Sequence, residues 1–366
     1  MITEESYSII DKLIQQGRCF ALWRIPGEET IHFRMQTTGS PDLIYDLSAL
    51  NGRSGFVIAP FHVSEKHPIV LIQPDCLEVS EDIVEYPQID VEVLGREDGY
   101  APGEKNQEWE KYCRAFQKFW PALHEKKAEK LVLSRSRTWE WTERLSPGKA
   151  FFRACKHYIY SYVYLCHTPQ TGTWMGGTPE ILLAGEGAHW QTIALAGTQH
   201  LVDGRLPKPW DEKNMREQQL VAAYIRERLE RLGIHPEEQG PYSAFAVELA
   251  HLRSDFRFEL SDTRHLGDLL DLLHPTPAVC GLPKEVAYRF ILEHEGYDRA
   301  YYSGFVGWLS PTGRTDLYVN LRCATIQDNR YTLFAGGGLL ASSRLEEEWQ
   351  ETNDKMQTMK KIIEKN

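Results

Sequence analysis

Three charged side chains share one side of the last helix that the sequence specifies: Glu348, Glu351 and Lys355 stand at i, i+3 and i+7. The inner face of that helix is Trp349, Thr352, Met356, Met359 and Ile363. A third carboxylate, Glu217, lies one turn before Leu220 and Val221, on or beside the stripe Leu220, Val221, Tyr224, Leu229 and Leu232 of a helix that begins at Trp210. An acid beside a buried stripe needs a partner. One arrangement is a solvated face with a Glu351 to Lys355 ion pair, which helical spacing alone favours. The other is convergence of Glu217, Glu348 and Glu351 on a hard divalent cation, which takes oxygen ligands and, if magnesium, keeps waters and binds substrate oxygens.

Four glycine- or proline-containing motifs set the context: GGTPE at 176–180, ALAGT at 194–198, HPTPAVCGLP at 274–283 and FAGGGLL at 334–340. Glycine lets backbone N–H groups approach a ligand, and consecutive N–H groups receive a carboxylate. A lone example reads as a tight turn. Four together, with Arg322 in VNLRCA, point to an anionic ligand.

The elements that must position these residues mix strands and helices. From Cys19 to Val93 short apolar runs (CFALWRI, FVIAPF, IVLIQP) alternate with Pro, Gly and Asp turns, a strand-rich part. The polar stretch 94–107 is the candidate boundary, dividing 1–105, which completes the same domain, from a core at 106–366. Beyond it come a helix with Trp109, Tyr112, Phe116 and Phe119 at helical spacing, strand-like KLVLSRSR and YIYSYVYL, helices at about 211–232, 283–295 and 345–363, and three strand-like segments between 303 and 337. Strands joined by short turns imply antiparallel pairing, hence an α+β fold of large sheets packed together with helices outside. No GxGxxG or Walker loop occurs.

Composition narrows the partners. With 42% hydrophobic and 25% charged residues the chain reads as globular, and its net charge of -11 argues against nucleic acid and anionic membranes. Seven cysteines without a CxxC pair fit free thiols in a reducing compartment. The opening MITEESYSIIDKLIQQG reads as an amphipathic helix stopped by Gly17, with no basic n-region, so a cytoplasmic location is expected.

With these motifs in order, and with KNMREQQLV at 213–221, ELAHL at 248–252, DRAYYSGFVGW at 298–308 and EEEWQETNDK at 346–355, the chain from about 130 to 355 resembles the chorismate-utilising family of isochorismate, salicylate, anthranilate and aminodeoxychorismate synthases. The resemblance implies Lys130 as a general base that activates water and Glu180 as a general acid, kept protonated by burial, that protonates the leaving hydroxyl. It implies Glu217, Glu348 and Glu351 as ligands of Mg2+ that binds the ring carboxylate of chorismate, with Gly197 and Thr198 holding the same carboxylate. Arg322, Tyr302 and the amides of Gly336, Gly337 and Gly338 match the enolpyruvyl carboxylate site, with Lys355 adding positive potential. His274 matches a substrate-facing histidine, although a lone histidine equally suits a core position.

Within the family, ammonia-using members usually carry glutamine at the Lys130 position, so water is the expected nucleophile and no glutamine amidotransferase subunit is expected. Ala196 stands where aminodeoxychorismate synthases place a lysine nucleophile. Lys130 is shared with salicylate synthases, which go on to eliminate pyruvate; Ala278 is similar to isochorismate synthases. Tyr302 with Leu321 favours menaquinone over siderophore synthesis. Two positions depart from the family: Asn214 where an acid often precedes the metal glutamate, and GGG for the more usual GAG. The expected molecule is a monomeric isomerase; a non-catalytic ligand-binding homologue is the contrasting reading.

Overall fold

A computed structural model describes residues 6–79, 105–246 and 249–364. Most of the candidate boundary at 94–107 lies outside the described residues. Helix α1 (Tyr7–Gln15) ends at Gly17, whose φ of 67° breaks it, and leads into β1 (Cys19–Arg24), β2 (Ile31–Gln36), β3 (Asp42–Ile44), β4 (Gly55–Ala59) and β5 (Ile69–Ile72). After α2 (Lys105–His124) follow β6 (Lys130–Glu140), α3 (Pro147–His157), β7 (Tyr162–Thr168), β8 (Gly172–Thr178), β9 (Ile181–Glu186) and β10 (His189–His200). Then come α4 (Glu212–Arg231), β11 (Glu237–Ala246), β12 (Leu249–Glu259), α5 (Leu266–Leu273), β13 (Gly281–Leu282) and α6 (Lys284–His294). The chain closes with β14 (Phe305–Leu309), β15 (Thr315–Val319), β16 (Cys323–Gln327), β17 (Arg330–Leu339) and α7 (Leu345–Glu364).

Every ladder between these strands is antiparallel. One sheet has the order β13-β6-β17-β16-β8-β7-β1-β2, the other β11-β12-β10-β9-β15-β14-β4-β5-β3. Period-two alternation sorts their side chains into layers. On β7, Tyr162 and Tyr164 face the second sheet in a cluster with Trp23, Phe56, Ile193 and Val306, while Val163 and Leu165 face α1 and α3. The nine-stranded sheet packs its other face on α4 and α5 through Val221, Ile225, Leu229, Leu266 and Leu270. The layers are therefore helix, sheet, sheet, helix, the α+β arrangement expected.

Two expectations change. Four strands, not three, occupy 305–339, because the turn at Arg322 separates β15 from β16. On α4 the buried stripe is Glu217, Gln218, Val221, Tyr224, Ile225 and Leu229, whereas Leu232 is 53% exposed beyond the helix end.

Candidate active site

Two crossings between the sheets carry functional side chains inward. β8 belongs to the first sheet and β9 to the second, and the residues between them are Pro179 and Glu180. β15 and β16 make the reverse passage through Asn320, Leu321 and Arg322. The crossings are tied together: Val319 N–H donates to Glu180 O at 2.9 Å, Gly177 N–H to Arg322 O at 3.1 Å, and Thr178 Oγ1 to Val319 O at 2.7 Å. Arg322 accepts a φ of 48° to make its turn.

Between the crossings lies a cavity of about 70 Å³. It is lined by Glu180, Gly197, Thr198, Glu217, Ala278, Tyr302, Leu321, Arg322, Gly336, Gly338, Glu351 and Lys355, all expected from sequence, together with His251. Lys130, Glu348 and Gly337 are not part of this lining; Lys130 Nζ stands 3.0 Å from Glu217 Oε1, and Gly337 is on the strand between Gly336 and Gly338.

Glu180 is 2% exposed, and its Oε1 accepts from Thr276 Oγ1 at 3.4 Å. Burial pushes its carboxyl up to about 7, against the opposing pull of Lys130, Thr276, Lys355 and Arg322. It is thus neutral over a range in which an exposed glutamate is ionised.

Arg322 donates from Nη2 to His251 Nε2 at 3.1 Å, and His251 Nδ1 lies 2.9 Å from Gly197 O. Guanidinium is donor-only, so Nε2 is the acceptor and Nδ1–H donates to the carbonyl. Burial and the Arg322 charge push His251 down to about 3, consistent with a neutral ring. Among the described residues no carboxylate pairs with Arg322, which leaves its charge for an anion in the cavity.

Gly197 sits at the bulge where the β10 and β12 register shifts, with a φ of 72°, and an added Cβ would stand 3.0 Å from Asn214 Oδ1. Asn214 Oδ1 also accepts the Thr198 N–H at 3.1 Å, while its Nδ2 donates to Asp211 Oδ1 at 2.8 Å.

The glycine run has a structural logic. β17 pairs with β6 over its whole length but with β16 only from Arg330 to Leu333, so the edge from Phe334 onward is open. Gly336 O accepts from Lys355 Nζ at 2.7 Å, whereas the facing Ser134 and Val132 N–H groups turn away to Glu295 and Cys280. Antiparallel alternation therefore turns the Gly336 and Gly338 rungs to the cavity and the Gly337 rung toward β6. An added Cβ on Gly338 would stand 2.2 Å from Glu217 Oε1, and one on Gly336 would stand 3.1 Å from the Tyr302 hydroxyl. Tyr302 stacks on Phe334 at 5.3 Å.

The three glutamates are each paired with a lysine. Lys130 Nζ is 3.0 Å from Glu217 Oε1, Lys213 Nζ 2.5 Å from Glu348 Oε1, and Lys355 Nζ 2.6 Å from Glu351 Oε1. The Glu351 to Lys355 pair weighed from spacing is present, but it lines a cavity rather than a solvated face. Lys130 is fully buried at the start of β6, and its geometry toward Glu217 is too oblique for a hydrogen bond. Glu348 is 1% exposed with Oε2 lacking any hydrogen-bond partner among the described residues. Burial and the neighbouring Glu351 push Glu348 up, while Lys213 opposes them; against the same burial, Lys355 and Lys213 hold Glu351 low.

These carboxylates and the orphaned Glu348 oxygen have the chemistry to hold a hard cation. As placed, no three acidic, histidine or cysteine side chains among the described residues stand close enough together to chelate one. Each carboxylate is paired with its own lysine instead.

His274 departs from expectation. Its Nε2 lies 3.1 Å from Pro60 O, its ring packs edge-on against Phe305, and burial pushes it down to about 3. It stands outside the cavity lining as a neutral histidine of the core, and Thr276 is the residue by which the HPTPAVCGLP segment reaches Glu180. His251 and Lys213 were missed as site residues although both lie in quoted motifs. The available signal was a lone histidine on a β12 that is otherwise mostly apolar from Leu249 to Leu252, and a lysine one turn before Glu217 on α4.

A site of this kind on paired antiparallel sheets defines a class. The sequence profile of the family described as "Chorismate binding enzyme" matches residues 97–364, and the chain belongs to that family. It is 30% identical over 243 residues to the isochorismate synthase EntC of Escherichia coli K12, an alignment that spans 64% of this chain and 62% of EntC, about three-fifths of that relative's length. Its fold matches the solved structure of DhbC from Bacillus anthracis with a TM-score of 0.78 at 23% identity, covering 97% of this chain and 99% of that one. It also matches MenF, the menaquinone-specific isochorismate synthase from Escherichia coli, with a TM-score of 0.75 at 20% identity, covering 97% and 91%.

Proposed function

We propose that the protein is a magnesium-dependent isochorismate synthase that adds water at C2 of chorismate and expels the C4 hydroxyl. The observation that carries this reading is Glu180: a buried carboxyl, pushed up to about 7, that faces the same cavity as the open edge of β17 and as Arg322, which pairs with no carboxylate among the described residues. Arg322 and the Gly336 and Gly338 amides bind the enolpyruvyl carboxylate, and Thr198 receives the ring carboxylate. Tyr302, Leu321 and Ala278 form the wall against the ring. Lys130 takes a proton from the attacking water, the ring double bonds shift, and Glu180 delivers a proton to the departing hydroxyl, so that one water enters and one leaves. Glu217, Glu348 and Glu351 would hold Mg2+, which supplies positive charge to the ring carboxylate.

Support for water rather than ammonia comes from Lys130, and the EntC likeness favours formation of isochorismate. Menaquinone synthesis is the destination we propose, supported by the MenF likeness and by Tyr302 with Leu321; complementation of a strain lacking its menaquinone-specific isochorismate synthase checks it. The primary test incubates the purified protein with chorismate and Mg2+, with and without EDTA, and separates the products. Metal-dependent isochorismate without pyruvate, lost in Lys130→Ala, is expected. Salicylate with equimolar pyruvate would reassign the protein to the salicylate synthases, and no turnover would sink the reading.

A further inference from the structure

Of the three lysines that pair with the carboxylates, two are fixed in place. Lys130 is fully buried at the start of β6, and Lys355 also donates to Gly336 O at 2.7 Å. Lys213 is different. It occupies the first turn of α4, capped by Asp211, one turn before Glu217 and on the same helix face. Its side chain is 23% exposed while its Nζ sits 2.5 Å from the Glu348 carboxylate, which is 1% exposed. A long flexible stem at a solvent-facing helix end can withdraw its ammonium to water, whereas Lys130 has no such route.

We propose that Lys213 is a built-in counter-cation of the carboxylate site, an ammonium that a divalent ion must turn off Glu348 in order to bind. The inference rests on the metal reading of the site given above and assigns a role to a residue outside that reading. It explains two observations together. Glu348 has one oxygen on Lys213 and the other, buried Oε2, without a hydrogen-bond partner among the described residues, so one of its two oxygens is unused. The three carboxylates, meanwhile, stand beside three separate lysine side chains, and among the described residues no three acids share one centre. An ammonium 2.5 Å from Glu348 Oε1 and a divalent ion on the same carboxylate repel each other, so the two cations compete for it. With Lys213 withdrawn, Glu348 gains a free oxygen beside its orphaned one, and both can face a cation shared with Glu351.

The exchange separates from simple charge removal by a double-mutant cycle on the full-length protein, read as Mn2+ affinity by electron paramagnetic resonance and Mg2+ affinity by calorimetry without substrate. Lys213→Gln is expected to bind either ion about tenfold more tightly than the unmodified protein, a change of about 1.4 kcal/mol. Lys213→Arg, which keeps the pair, should stay within about twofold. Glu348→Gln should weaken binding, and in that background Lys213→Gln should give no gain, because the competition acts through Glu348. Thermal melts of each variant confirm that it is folded. Equal or weaker binding by Lys213→Gln, or an undiminished gain in the Glu348→Gln background, overturns the counter-cation role and leaves the metal site standing. Absence of ion binding by both the unmodified protein and Lys213→Gln would overturn the metal reading itself, and the counter-cation role with it.

Discussion

In the proposed reaction Glu180, as the general acid, would set activity against stability in one carboxyl. Its ordinary value is 4.5 and burial lifts it to about 7. In the unfolded chain it ionises near 4.5, while in the folded chain it stays neutral until about 7, so its contribution to stability is intact below 4.5 and is lost progressively as pH rises to 7. Glu180→Gln removes the ionisable group. On the proposed mechanism it should lower isochorismate formation about a hundredfold or more, yet raise stability at pH 8 by up to about 3 kcal/mol. Urea unfolding at pH 4 and pH 8 checks this: the variant's advantage should appear only at the higher pH. In the unmodified protein, activity should fall as pH rises through 7, because the acid form is consumed. Gly338 offers a purely steric counterpart. A Cβ there would stand 2.2 Å from Glu217 Oε1 and 2.7 Å from Lys130 Cε, so Gly338→Ala should displace that pair and cost at least tenfold in turnover, measured at saturating chorismate with the fold verified by circular dichroism. At this scale the sequence was legible where motif and spacing agreed: Glu180, Glu217, Glu351, Arg322, Tyr302, Gly336 and Gly338 line one cavity, although among the described residues no three acidic side chains stand close enough to chelate an ion. It was not legible for the two histidines, because nothing local distinguishes His251, neutral between Arg322 and Gly197, from His274, neutral against Pro60.

Among elements, the start of β6 carries the largest structural demand, since it must hold a buried Lys130 opposite Glu217. Arg299 fixes it. Its guanidinium donates to Val132 O at 2.9 Å on β6 and to Val279 O at 2.7 Å in the HPTPAVCGLP segment, and its charge is paired with Glu295 at 2.6 Å. Glu295 in turn accepts the Ser134 N–H and hydroxyl. Both charges are almost wholly buried, 3% and 1% exposed. Truncating one partner leaves the other buried and unpaired, so Arg299→Ala should destabilise the protein by about 3–5 kcal/mol, whereas replacing both members by apolar side chains should cost much less. Chemical denaturation of the two variants tests the asymmetry. The ends of α4, α6 and α7 agree within about two residues with the periodic pattern, because caps and apolar spacing are local. Leu232 was misassigned to the stripe of α4 because the pattern continues one residue past Arg231, where the helix has already ended.

For the whole molecule, the order of strands is what local signals could not reveal. β1 pairs with β7 in one sheet and β4 pairs with β14 in the other, so residues before 80 are woven into both sheets at separations of more than a hundred residues. Antiparallel pairing was readable from short turns between neighbouring strands. The passages at Glu180 and Arg322, where the chain leaves one sheet for the other, are set by long-range pairing and leave no periodic trace. This weave argues that the strand-rich part before 105 and the part after it fold as one unit. Removing the first part would strip β7 and β14 each of a neighbour and expose Tyr162, Tyr164 and Val306, buried residues of the layer between the sheets. Residues 105–366 expressed alone should therefore aggregate or show no cooperative thermal transition. Co-expression with residues 1–104 should restore a folded complex only if the two sheets can close around that shared layer. A soluble 105–366 fragment with a sharp melt of its own would mean instead that the helices and the remaining strands suffice for a core, and that the early strands were added to a catalytic unit already complete.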